Sequence, residues 1–213
     1  MAIDVKICGL STAESVAAAT RARWVGFNFY PPSPRAVSPA QAGALAGGLP
    51  ETVERVAVVV DPDDDLLRAI QAHLRPAVIQ LHGRESPARA AAVRALTGAR
   101  IMKALPVAGP EDVAAAEGFV PVVDLLLFDA KPPRTETTAL PGGNGRAFDW
   151  TLLAGRRVNR PWLLSGGLDA GNVAEAVATS GARAVDVSTG VEDRPGVKSP
   201  DKIRAFLATV AAL

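Results

Sequence analysis

Short β-branched apolar runs recur along the whole chain, and each is followed by a stretch of helical pattern, usually rich in alanine. The runs fall at 3–8, 25–29, 55–60, 77–81, 100–103, 122–128, 162–165 and 184–187. The helical stretches after them fall near 12–23, 39–46, 64–73, 86–96, 110–117, 149–153, 170–179 and 200–212. Strands that alternate with helices point to a parallel sheet of the α/β class. Eight such units in 213 residues leave about 27 residues each. That rhythm predicts a single (β/α)8 TIM barrel domain over residues 1–213, at the small end of a range of about 200 to over 400. The alternative is an open doubly wound sheet. A dinucleotide fold of that kind carries G-x-G-x-x-G after its first strand, whereas Gly9 is followed by Leu10, Ser11 and Thr12.

Composition narrows the function classes. The chain has 23 Lys+Arg against 22 Asp+Glu, a net charge of +1, which removes the electrostatic basis for a nucleic-acid or polybasic membrane-surface binder. With one cysteine there is no disulfide framework. Charges at Asp4 and Lys6 interrupt the opening MAIDVKICGL, so no signal peptide is expected. No apolar run approaches the roughly 18 residues of a membrane span. A soluble, cytoplasmic protein is expected, and the near-neutral surface fits a monomer or a homodimer. No linker divides the chain, but the stretch 129–147 is long and rich in Pro, Gly and Thr, the kind of loop that is functional or disordered more often than accidental. Its Gly-rich part, 142–146, fits a lid or a passive crossover equally well.

In a (β/α)8 barrel the chemistry sits where the strands stop. Lys6 and Cys8 share one face of the first strand and Ile7 takes the other. Inward-facing Lys6 is expected to be an ion-pair partner, with Asp186 on the last strand as a candidate. After the second strand, three prolines stiffen the loop that carries Arg35, a residue type that grips carboxylate or phosphate with two parallel hydrogen bonds. Gln80 and His82 share a face at the end of the fourth strand, where His82 fits a polar lining residue or a proton carrier. Only two histidines exist, His73 and His82, so no His/Cys metal cluster can be assembled. Asp129 follows LLLF and is poorly solvated from below, which favours the neutral, proton-donating form. Gly166 and Gly167 after the seventh strand, and Ser188, Thr189 and Gly190 after the eighth, offer backbone N–H groups at the usual phosphate cradle of such barrels. The inventory suits a cofactor-free acid/base reaction on a small phosphorylated molecule.

Several motifs then carry a resemblance that runs end to end: KICGL at 6–10, VGFNFYPPSPR at 25–35, IQLHG at 79–83, LLFDAK at 126–131, PGGNGRAFDW at 141–150, LSGGLDAGNV at 164–173 and AVDVSTGVEDRPGVK at 184–198. In these the chain resembles the phosphoribosylanthranilate isomerase family of tryptophan biosynthesis. The resemblance implies an Amadori rearrangement of an aminoaldose phosphate to a 1-deoxyribulose 5-phosphate, without cofactor or metal. It implies Asp129 as general acid and Cys8 as general base. It also implies Arg35 as holder of the anthranilate carboxylate, Gly166, Gly167, Ser188, Thr189 and Gly190 as the phosphate loops, and His82 and Asp186 as pocket lining. Some lowering of the ordinary thiol pKa of about 8.5 would help Cys8 act as a base at neutral pH. The chain departs from the family pattern at Asn28, usually apolar, and at Asn144, usually Ser or Thr. Asn28 puts a polar group in the sheet that must find a hydrogen bond. The rivals are another phosphate-binding barrel isomerase or lyase, for which Lys103 is a loose echo of a catalytic lysine, an enzyme that also acts on a histidine intermediate, and a non-catalytic barrel that binds a phosphorylated ligand.

Overall fold

A computed structural model describes residues 2–131, 142, 145 and 147–213. Eight parallel strands close a barrel in chain order: β1 (Asp4–Cys8), β2 (Trp24–Asn28), β3 (Glu54–Val59), β4 (Val78–Leu81), β5 (Arg100–Val107), β6 (Leu125–Ala130), β7 (Trp162–Leu164) and β8 (Ala184–Val187). β1 pairs with β8 as well as with β2, so the ring has no free edge. The (β/α)8 expectation is therefore met.

The helices are α1 (Ala13–Ala18), α2 (Pro39–Ala46), α3 (Asp64–His73), α4 (Pro87–Thr97), α5 (Pro110–Ala114), α6 (Val173–Ser180) and α7 (Pro200–Ala211). Between β6 and β7 a 3-10 turn at Trp150–Leu153 stands in the helix position. Three helices begin at Ser-Pro pairs, which set φ for the first turn through Pro39, Pro87 and Pro200. Ser38 and Ser86 also accept the N–H of Gln41 and Arg89 at 3.2 Å, satisfying donors that the helix itself cannot. Two short strands, β9 (Glu192–Arg194) and β10 (Val197–Lys198), form an antiparallel hairpin after β8 that the strand–helix rhythm did not anticipate. Of the stretch 129–147, residues 132–141, 143, 144 and 146 lie outside the described residues, and with them the departure at Asn144 and most of the lid-or-crossover segment. Among the described residues no helix is long and apolar enough to cross a membrane.

The period-2 alternation of each strand builds two cores. Trp24, Val56, Val58, Val78, Met102 and Leu127 fill the barrel interior. Their sequence neighbours Val25, Ala57, Ile79, Ile101 and Phe128 face the helix layer. The same parity sends Lys103 outward, away from the barrel mouth. Its ammonium donates to Glu85 Oε2 at 2.8 Å and to the Gly83 carbonyl at 2.7 Å. Glu85 in turn accepts the N–H of Asp61 at 2.8 Å and of Gly83 at 3.0 Å. This buried carboxylate thus knits the loops after β3 and β4 to β5, and removes Lys103 from the candidates for chemistry. Glu85→Ala would strand the Lys103 charge, and a loss of about 3–5 kcal/mol is expected. Denaturant unfolding checks this; a loss under about 1 kcal/mol, the scale of an exposed pair, would contradict it.

Candidate active site

Barrel closure sets Lys6 directly opposite Asp186 across the β1–β8 seam. Lys6 is fully buried, and its Nζ donates to Asp186 Oδ1 at 2.8 Å. The other carboxylate oxygen accepts from Ser165 Oγ, at the end of β7, at 3.2 Å. Two residues further along β1, Cys8 faces inward against Gly26, its register partner on β2. A Cβ at Gly26 would lie 3.1 Å from Cys8 Sγ and 3.2 Å from Lys6 Nζ, so the missing side chain is what lets ammonium and thiol share this space. Burial would favour a neutral lysine, but Asp186, then Cys8, outweigh it and hold Lys6 above its ordinary pKa.

The Cys8 thiol moves opposite to the lowering that would help a base at neutral pH. Burial pushes it up; the Lys6 ammonium opposes this, the Asp186 carboxylate adds to it, and Lys198 weakly opposes it. Desolvation of the anion is the larger effect because the sulfur lies inside the ring of strands rather than at a solvated rim.

Asp129 stands at the end of β6, three strands from β1 around the ring, and is 5% exposed. Its Oδ1 accepts the N–H of Ala130 at 2.9 Å, and its Oδ2 lies 3.3 Å from His82 Nε2. The Gln80 amide nitrogen lies 2.9 Å from His82 Nδ1. If that amide donates, neutral His82 carries its proton on Nε2 and offers it to Asp129. Gly142 closes over this pair: a Cβ there would come within 2.5 Å of His82 Nε2 and 2.8 Å of Asp129 Oδ2.

The Pro-rich loop after β2 is shaped by Asn28. Its side-chain oxygen accepts the N–H of Tyr30 at 2.8 Å and its amide donates to Ser33 Oγ at 3.2 Å, so the polar group in the sheet finds its partners. Arg35, 4% exposed, lines the mouth with its stem against Gly9, where a Cβ would lie 2.6 Å from Arg35 Cδ. Its fork meets a residue the strand-end reading passed over, Glu192, through Nε at 2.7 Å and Nη2 at 2.9 Å. Lys198 is a second such residue, donating to the Ser188 carbonyl at 2.8 Å. The signal for both was the Pro195-Gly196 turn, a hairpin pattern with a glycine at positive φ.

The loops after β7 and β8 interlock. Gly166 and Gly167 have φ of 92° and 63°. A Cβ on Gly190 would overlap the Leu168 carbonyl, so only backbone fits there. The N–H groups of Gly166 and Gly167 meet no acceptor among the described residues. All ten residues singled out from the sequence (Cys8, Arg35, His82, Asp129, Gly166, Gly167, Asp186, Ser188, Thr189 and Gly190) line one cleft at the barrel mouth. Among the described residues, no group of three or more His, Cys, Asp or Glu side chains is placed to hold a metal ion. The cleft therefore offers a thiol beside an ammonium, a carboxyl group across from it, an arginine, and a glycine-lined end suited to an anion.

Comparison with known proteins gives concordant matches. The family model described as N-(5'phosphoribosyl)anthranilate (PRA) isomerase matches residues 5–209. The N-(5'-phosphoribosyl)anthranilate isomerase of Paracoccus denitrificans is 54% identical over 100% of this chain and 99% of its own. The solved phosphoribosyl anthranilate isomerase of Thermotoga maritima superposes with a TM-score of 0.87 at 32% identity, over 99% of this chain and 100% of that one. Another solved phosphoribosyl anthranilate isomerase, in complex with reduced 1-(o-carboxyphenylamino)-1-deoxyribulose 5-phosphate, gives a TM-score of 0.84 at 31% identity with the same coverage.

The direction of the Cys8 shift is open to measurement. Alkylation of the free protein by iodoacetamide is expected to rise with pH through a midpoint above the ~8.5 of an ordinary thiol. Lys6→Met removes the opposing cation and is expected to move that midpoint higher still. A wild-type midpoint below about 8 would contradict the dominance of burial.

Proposed function

The chain belongs to the N-(5'-phosphoribosyl)anthranilate isomerase family of tryptophan biosynthesis, and on that premise we propose that Cys8 and Asp129 divide the reaction between them as base and acid. The reaction is the aldose–ketose isomerisation of N-(5'-phosphoribosyl)anthranilate to 1-(2-carboxyphenylamino)-1-deoxyribulose 5-phosphate. The observation that carries the proposal is the cleft itself, which holds both groups together with Arg35 and the two glycine-bearing loops.

The substrate has a dianionic end and a carboxylate end. The phosphate suits the backbone N–H groups of Gly166, Gly167 and Gly190 with the Ser188 and Thr189 hydroxyls. The anthranilate carboxylate suits Arg35. Anchoring at both ends stretches the ribose across the mouth, between β1 and β6. Asp129 gives its proton to the ring oxygen. The C1–O bond breaks, and the nitrogen lone pair closes a C1=N iminium. Cys8 thiolate takes the proton from C2; those electrons form C1=C2 and neutralise the nitrogen. C1 then gains a proton while the C2 hydroxyl loses one, leaving the ketone. Atoms and electrons balance within the substrate, and its own nitrogen serves as the electron sink, so the chemistry needs no cofactor.

The raised thiol pKa fits this order of events. Once ionised, a thiol of higher pKa is the stronger base. The iminium forming beside it, with the Lys6 ammonium beneath, favours ionisation at the step that needs it. His82 fits a holder of the Asp129 carboxyl, 3.3 Å away, and Asp186 fits a holder of Lys6. We also place the enzyme in the cytoplasm, which suits a freely diffusing phosphorylated substrate.

Anthranilate fluorescence follows turnover when the substrate is generated in situ from anthranilate and phosphoribosyl pyrophosphate by a transferase. Cys8→Ala and Asp129→Asn are each expected to cut kcat by about 10²–10⁴-fold while KM moves little and the circular dichroism spectrum is kept. Near-normal turnover in a folded variant would remove that residue's role. Arg35→Ala is expected to act mainly on KM, and an unchanged KM would remove the assignment of the carboxylate.

A further inference from the structure

Glu192 opens β9, outside the eight strand ends, and its side chain is 2% exposed. Two cations reach it from different parts of the chain. Arg35, on the loop after β2, donates to Oε1 from Nε at 2.7 Å and to Oε2 from Nη2 at 2.9 Å, the paired geometry of a guanidinium on a carboxylate. Lys198, on β10, donates to Oε1 at 2.7 Å. The same ammonium donates to the Ser188 carbonyl at 2.8 Å and to Ser188 Oγ at 3.0 Å. Arg35 Nη2 also donates to Thr189 Oγ1 at 3.3 Å. One buried carboxylate thereby joins the arginine of one loop to the serine and threonine of another.

The surroundings leave this cluster little freedom. Gly196, in the turn of the hairpin, donates its N–H to Glu192 Oε2 at 3.3 Å. A Cβ on Gly196 would lie 2.6 Å from the Pro34 carbonyl, so the hairpin presses directly on the proline-rich loop. Burial works against ionisation of Glu192, but Arg35 and Lys198 outweigh it and hold the carboxyl below its usual range. An arginine side chain has many rotamers, and one held by a fixed carboxylate loses less freedom when it grips a ligand.

Glu192 does not line the cleft, and the steps above give it no proton to carry. We infer that Glu192 is a positioning residue that sets substrate specificity: it aims Arg35 at the carboxylate of the substrate and, through Lys198, fastens Ser188 of the phosphate loop to the same anchor. This rests on the reading of Arg35 as the carboxylate holder. Neutralising Glu192 leaves the arginine present but unaimed. Preference for a carboxylate-bearing substrate then falls while the chemistry at Cys8 and Asp129 continues. A merely structural role would instead lower turnover of all substrates alike.

The test compares kcat/KM for the anthranilate-derived aminoaldose phosphate with that for the same compound built from aniline, which lacks the carboxylate. Arg35→Ala is expected to lower the wild-type preference by about 10- to 100-fold. Glu192→Gln is expected to lower it by about tenfold; any loosening of Ser188 acts on both compounds alike and cancels from the ratio. Added to Arg35→Ala, it is expected to lower the preference no further, because both act on one contact. A drop in Arg35→Ala with wild-type preference in Glu192→Gln would overturn the inference and leave the Arg35 reading standing. An unchanged preference in Arg35→Ala would overturn both. If Glu192→Gln does not fold by circular dichroism, Glu192→Asp replaces it: one methylene shorter, it is expected to lose part of the preference, and full wild-type preference would overturn the inference.

Discussion

The Lys6–Asp186 pair lies on the seam where the first and last strands meet, and the position of the thiol follows from it. A parallel barrel closes only if β1 and β8 find one register, and side chains alternate, so a one-residue slip would turn Lys6 and Cys8 into the helix layer. The fully buried ammonium has its carboxylate partner only in the observed register, 2.8 Å away. Taking both charges out of water is costly, and a buried ion pair by itself is weak support for stability. Its worth here lies in specificity: it marks the correct closure and leaves a cation beneath Cys8. The glycine at position 26 completes the device by leaving the volume that both groups occupy.

The mouth is organised as two separate ionic clusters with different tasks, one with a cation matched to a carboxylate and one with two cations on a single carboxylate. Lys6, Asp186 and Ser165 form one, under the thiol. Arg35, Glu192, Lys198 and Ser188 form the other, at the rim. Each cation is already held by a carboxylate, so in the proposed binding mode a phosphate and a carboxylate would reorganise little, the condition under which fixed charges act most strongly. Asp129 is placed otherwise. Its partners are a backbone N–H and a histidine rather than a lysine or arginine.

Much of this was legible in the sequence because strand periodicity is local. The strand at 184–187 and the helices at 39–46 and 64–73 have the expected bounds, and the Lys6–Asp186 partnership came from parity alone. Bounds shifted where local side chains compete with the helix. α6 starts at Val173 rather than near 170 because Asp169 Oδ1 first takes the N–H groups of Gly171 and Asn172 in a turn. β5 runs on to Val107 through Ala104 and Pro106, a continuation that pairing with β6 stabilises and local propensity does not reveal. Glu192 was passed over as a site residue because, although the hairpin pattern beside it is local, its meeting with Arg35, 157 positions away, is encoded by no spacing. The direction of the Cys8 shift was not legible for a related reason: desolvation depends on the closed ring around the sulfur, not on the residues beside it in the chain.

The most direct measurement of the account is a crystal structure of the protein with reduced 1-(o-carboxyphenylamino)-1-deoxyribulose 5-phosphate. The account predicts the phosphate within about 3 Å of N–H groups in the loops after β7 and β8, and the carboxylate on Arg35. It predicts C1 and C2 between the Cys8 sulfur and the Asp129 carboxyl. A ligand bound end for end, or with C2 out of reach of the sulfur, would contradict it.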